Sequence, residues 1–257
     1  MGKPIVITFA NQKGGVGKTT SAVNVAASLG LLGHRVLMID IDPQGNTTSG
    51  LGFKKKGLKR TVKDVLIGEC EAKEAILETE FENLWLMPTN ISLTGADIEL
   101  FDEFEDDSPY CLKKALEPVR EDFDYVIIDC PPSLSLLTVN AFTASDGIVV
   151  PMQCEFYALE GLSQLILSIK GIKQRHNPDL NITGILITMY NGRLLLSMQV
   201  MSELRKHYSD KLFSTNISRN VKLTEAPGYG QPVYYHDKNA KGTKEYLDVA
   251  KELAERI

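Results

Sequence analysis

The sequence predicts an α/β fold: a mostly parallel, twisted sheet with helices on both faces. Two observations carry this. Apolar runs at 5–10, 35–40, 84–88, 125–129, 147–152 and 182–189 are nearly continuous rather than alternating, as strands covered on both faces require. Helical patterns separate them, at 18–32, 93–104, 109–120, 134–144, 157–175, 197–208 and 241–256, and alternating strand and helix implies parallel pairing. In chain order, the first strand runs straight into a glycine loop, and the helix that follows is rich in Ala, Val and Leu. The second strand ends in Asp40 and the fourth in Asp129. The last helix places Tyr246, Val249, Ala250 and Leu253 on one stripe, suited to packing on the domain.

The chain has 257 residues, 43% hydrophobic and 24% charged, which excludes a disordered, collagen-like or disulfide-stapled protein. With no Pro/Gly/Ser linker and no internal repeat, residues 1–257 read as a single domain. Net charge is −5, so no global basic field gathers nucleic acid and any such contact must be local. Charge is uneven: Lys54, Lys55, Lys56, Lys59 and Arg60 form a basic loop, and Glu99, Asp102, Glu103, Glu105, Asp106 and Asp107 an acidic run. Residues 189–222 carry six Lys/Arg against two acids. Taken singly, each run reads as solvated surface. Cys70, Cys111, Cys130 and Cys154 are scattered, with no zinc-site spacing, and suit a reducing cytosol. There is no signal-peptide pattern and no run of 18 apolar residues, so no membrane partner is expected.

The strongest signal is Lys13-Gly14-Gly15-Val16-Gly17-Lys18-Thr19-Thr20, set between a strand and a helix. Glycines let the backbone approach anionic oxygens, and a helix N-terminus adds partial positive charge. In such a loop Lys18 reaches the β- and γ-phosphates and the Thr19 hydroxyl ligates Mg²⁺. Asp40 and Asp42, two residues apart at a strand end, stand at the same rim, where open α/β sheets bind their ligands. An apolar strand ending in Asp129 offers a further carboxylate near Mg²⁺. Cys130-Pro131-Pro132-Ser133 follows as a stiff, non-helical segment.

The eight-residue run departs from the usual phosphate-loop pattern: Gln12 stands where a glycine is expected, and Lys13 is an extra lysine. It resembles the deviant Walker A motif of the ParA/MinD ATPases. That resemblance implies ATP and Mg²⁺ as cofactors and an ATP-dependent homodimer in which Lys13 reaches the partner's nucleotide. Asp40-Ile41-Asp42-Pro43-Gln44-Gly45-Asn46 resembles switch I, implying that Asp42 orients or deprotonates the attacking water while Asp40 acts through Mg²⁺ and its waters. Asp129-Cys130-Pro131-Pro132-Ser133 resembles Walker B and switch II.

Segments 188–193 and 217–232 look like the ParA/Soj branch used in DNA partition. There, Pro227 matches a segment that closes over adenine, and Arg193, Arg219 and Lys222 match positions that touch duplex DNA non-specifically. Asn191, Leu194 and Leu195 depart from that branch's pattern. The resemblance implies a slow ATPase stimulated by DNA and a ParB-like partner, nucleoid-associated in the cytoplasm; the acidic run 99–107 would suit that partner's basic tail. The first strand begins near residue 4, which argues against an N-terminal helix-turn-helix extension. The same engine positioning another cargo or the division site remains an alternative. So does a scaffold that binds nucleotide without hydrolysing it, against which Lys18, Thr19, Asp42 and Asp129 all argue.

Overall fold

In the computed structural model, which describes residues 4–257, seven strands form one sheet in the order β3-β4-β2-β5-β1-β6-β7. They are β1 (Ile5–Phe9), β2 (Val36–Asp40), β3 (Leu77–Glu78), β4 (Leu84–Met87), β5 (Tyr125–Asp129), β6 (Gly147–Met152) and β7 (Asn181–Ile187). Every pairing is parallel except that of β3 with β4. All six expected strands are present; β3, two residues long, is the addition.

Burial explains the continuous apolar runs. Val6, Leu37, Ile39, Val126 and Ile128 face one core layer, under the helices Leu136–Ala144, Ala158–Arg175 and Leu195–Tyr208. Ile7, Phe9, Val36, Met38 and Ile127 face the other, under Lys18–Leu31 and Lys241–Arg256. The C-terminal helix buries the expected stripe, with Tyr246, Val249, Ala250 and Leu253 each 1% exposed or less. No helix among the described residues is long and apolar enough to cross a membrane.

Several helix boundaries differ from expectation. The helix expected from 93 begins at Ala96, because Gly95 sits at φ +86° and stops the turn before it. The helix expected over 109–120 is broken into a 3₁₀ stretch, Glu105–Tyr110, and a short helix, Cys111–Leu116, with Pro109 and Pro118 at the breaks. The last strand stops at Ile187, and Met189 beyond it adopts φ +49°.

One long-range contact completes a helix end. Asn177, 7% exposed, donates from Nδ2 to the carbonyls of Phe142 (2.9 Å), Thr143 (3.3 Å) and Ser145 (2.7 Å), at the end of Leu136–Ala144. The last four carbonyls of a helix lack intrahelical partners, and that of Phe142 here also accepts the Ser145 amide (3.3 Å). Asn177→Ala is expected to lower stability by about 1–3 kcal/mol in urea unfolding, because it leaves buried acceptors unpaired. A change under ~0.5 kcal/mol would show that water replaces the amide there.

Candidate active site

Strand order brings the three motif loops together. β2, β5 and β1 are neighbours, and the loops that follow them open at one edge of the sheet. The register pairs Phe9 with Asp129 and Asp40 with Asp129, so the two strand-end carboxylates stand side by side.

The glycine loop is shaped from outside. Asn11 donates to the Pro151 carbonyl (2.8 Å) and accepts the Lys13 amide (3.0 Å), which fixes the loop's entry. Gln153 donates to the Gly15 carbonyl (2.8 Å), and the buried Thr188 donates to the Val16 carbonyl (2.7 Å). Gly15 and Gly17 adopt φ +74° and +84°, a region that favours glycine, and Gly17 is the residue that starts the helix Lys18–Leu31. With those carbonyls anchored, the unpartnered first-turn amides of that helix face the rim.

Lys18 is 7% exposed and donates to the Lys13 carbonyl (3.1 Å). Burial lowers its pKa, against the raising pull of Asp129 and Asp42. The Lys13 side chain does not turn toward this site: it is half exposed, and its ammonium pairs with Glu155.

The acidic residues are arranged by chain segments that the sequence did not single out. Thr47 donates to Asp129 Oδ2 (2.8 Å). Thr48 donates twice to Asp40 Oδ2, from its amide (2.8 Å) and its hydroxyl (2.7 Å), while Asp40 Oδ1 accepts the Asp42 amide (3.3 Å). Both oxygens of Asp40 therefore hold the 42–48 loop in shape. Burial and the neighbouring Asp129 push Asp40 up to about 8. Burial pushes Asp129 up to about 6, against the hydroxyls of Thr19 and Thr47. Asp42, 7% exposed, accepts the Gln44 amide at Oδ1 (2.9 Å). Cys130 is fully buried beside this cluster, and burial holds its thiol well above the usual range.

Asp129 Oδ1 is buried without a hydrogen-bond partner. A lone carboxylate oxygen beside the Thr19 hydroxyl suits a divalent cation. Among the described residues no group of three or more His, Cys, Asp or Glu could hold a metal alone. That is the economy of Mg²⁺ sites, where one or two protein oxygens are completed by phosphate and water.

Next to the loop lies a cavity of about 550 Å³ lined by Gly15, Thr20, Thr188, Asn220, Pro227 and Tyr246, among others. Its volume suits a nucleoside. Arg219 also lines it, so this arginine borders the cavity instead of standing apart on the surface. Lys222 pairs with Glu225 (2.9 Å), which offsets part of its charge. Arg193 is exposed, with its backbone amide held by Asn191 (3.1 Å).

A family model described as an AAA domain matches residues 5–182. The chain is 50% identical over 254 residues to the sporulation initiation inhibitor protein Soj of Bacillus subtilis, covering 99% of each chain. It is 46% identical over 253 residues to the chromosome partitioning protein ParA of Caulobacter vibrioides, covering 98% of this chain and 94% of that protein. Among solved structures, one titled cobyrinic acid a,c-diamide synthase from Mycobacterium smegmatis, with bound ATP analog and magnesium, superimposes with a TM-score of 0.84 at 37% identity, covering 98% of this chain and 94% of that one. With the motif loops gathered at one sheet edge and identity sustained over its full length, the chain belongs to the ParA/Soj family of chromosome-partitioning ATPases.

Proposed function

We propose that this chain is a Mg²⁺-dependent ATPase of DNA segregation that dimerises around two ATP molecules, binds duplex DNA non-specifically in that state, and lets go when a ParB-like partner stimulates hydrolysis. The observation that carries the reading is the pair of lysines. Lys18 is buried among the acids of its own site, whereas the ammonium of Lys13 lies at the surface, where a second copy would meet it.

In this reading Lys18, the Thr19 hydroxyl and the loop Gly14–Gly17 hold the triphosphate. Pro227 covers the base. Thr20 lines the cavity beside the loop. Mg²⁺ would be held by Thr19 and Asp129 and would supply charge neutralisation on the phosphates. Asp40 serves behind it, by fixing the loop that aims Asp42. Asp42 orients the attacking water and takes up its proton. Because phosphoryl transfer depends mainly on positioning and charge, a cation from a second copy raises the rate, and hydrolysis follows assembly.

The basic side chains Arg193, Arg219 and Lys222 supply the DNA contacts, phosphate-directed and without base readout. Arg193 tests this most cleanly, since it is exposed and does not line the nucleotide cavity. Arg193→Gln is expected to reduce the slope of log affinity against log salt by about 1 for random-sequence duplex. ATP-induced dimerisation, followed by light scattering, should be unchanged. An unaltered slope would remove Arg193 from the interface, and a wild type that binds no duplex with ATP and Mg²⁺ would remove the DNA reading altogether.

A further inference from the structure

The basic loop 54–60 has no task in the site just described. Five of its seven residues are cationic, and no acid lies between Leu51 and Thr61, in a chain whose net charge is −5. Lys54, Lys56 and Lys59 are exposed and, among the described residues, form no ion pair. Arg60 lies 4.0 Å from Asp64, and Lys55 donates to the Gln44 carbonyl at 2.7 Å. Gln44 is two residues from Asp42, so the loop is moored to the segment that carries the candidate base. A cavity of about 530 Å³ opens between them, lined by Pro43, Gln44, Lys55, Lys56, Asn90 and Ser92, among others.

The start of the loop also touches the turn that follows the C-terminal basic segment. A Cβ on Gly230 would lie 2.6 Å from the Gly52 Cα, so the two backbones touch where the basic loop begins and where the segment after Lys222 ends. Both are glycines in positive φ, which permits that approach.

We propose that the loop 54–60 is a second contact surface for DNA phosphates, set against the segment that carries Asp42. This rests on the DNA-binding reading above. Exposed lysines act as point charges and suit a backbone that presents phosphates whatever its sequence. The loop offers little to a protein interface, whose centre is apolar: Phe53 packs into the core, Leu58 is half buried, and Ile91 is the exposed apolar side chain on the cavity wall.

The test is the triple variant Lys54→Gln, Lys56→Gln, Lys59→Gln, measured with ATP and Mg²⁺ on random-sequence duplex at several salt concentrations. Each lost phosphate contact lowers the log–log slope by about 0.9. Loss of three makes the variant about 40-fold less sensitive than wild type to a rise from roughly 50 to 200 mM salt. ATP-dependent dimers should form as before. A wild-type slope in the triple variant overturns the proposal, while loss of binding in Arg193→Gln alone leaves the DNA reading standing without it. Binding to phosphatidylglycerol vesicles that disappears in the triple variant, with DNA affinity unchanged, assigns the loop to a membrane surface and also overturns it.

Discussion

Lys13→Ala is expected to keep ATP binding and to lower DNA- and partner-stimulated hydrolysis by ~10³-fold or more, the range a cation supplied in trans commands. Truncation should not disturb the loop. Its entry is fixed by the Lys13 amide on Asn11, and Lys18 contacts the Lys13 carbonyl; alanine keeps both groups. What is lost is the ammonium, which in the lone subunit pairs with Glu155. That pairing is half exposed on both sides. Such pairs contribute about 0–1 kcal/mol, against the about 4–7 kcal/mol that ~10³–10⁵ in rate represents. Transfer from Glu155 to a partner's phosphates is therefore easily driven. Phosphate release reads the hydrolysis, and light scattering with a non-hydrolysable analogue reads whether the dimer still forms. A Lys13→Ala protein that still hydrolyses at the stimulated wild-type rate contradicts a role across an interface.

How much of this could be read from the residues depended on distance along the chain. Apolar runs located six strands because continuous burial leaves a continuous signal. β3 left none: two residues paired antiparallel at the sheet edge owe their conformation to β4. The short helix Asn46–Gly50 was also invisible, since Asn, Thr, Ser and Gly are poor helix formers and it exists to bring Thr47 and Thr48 onto the two acids. The motifs that carry the glycine loop, Asp42 and Asp129 stand out in the sequence because each is a short, contiguous run of residues. The side chains that shape them do not. Thr47 reaches Asp129 across 82 residues, Gln153 reaches Gly15 across 138, and Thr188 reaches Val16 across 172. No spacing rule spans such intervals; only the strand order that sets β1 between β5 and β6 does.

Asp42→Asn is expected to slow hydrolysis by ~10²–10⁴-fold, the usual contribution of a positioned general base, while ATP binding and the ATP-bound dimer persist. The choice of residue and of substitution both matter. Asn keeps an oxygen to accept the Gln44 amide, so the turn at Pro43–Gly45 survives and only the capacity to take a proton is removed. The same change at Asp40 would not be informative. Its carboxylate accepts from the Thr48 amide, the Thr48 hydroxyl and the Asp42 amide, so an amide there faces a donor and unfastens the loop. Lost activity in Asp40→Asn would then report shape, whereas in Asp42→Asn it reports chemistry. Single-turnover phosphate release gives the rate, and the lifetime of the ATP dimer on duplex DNA gives the consequence: if hydrolysis ends the bound state, the variant stays bound longer in proportion to its slowing. Normal turnover in Asp42→Asn would move the base elsewhere. Slow turnover with an unchanged dwell on DNA would mean that release does not wait for hydrolysis.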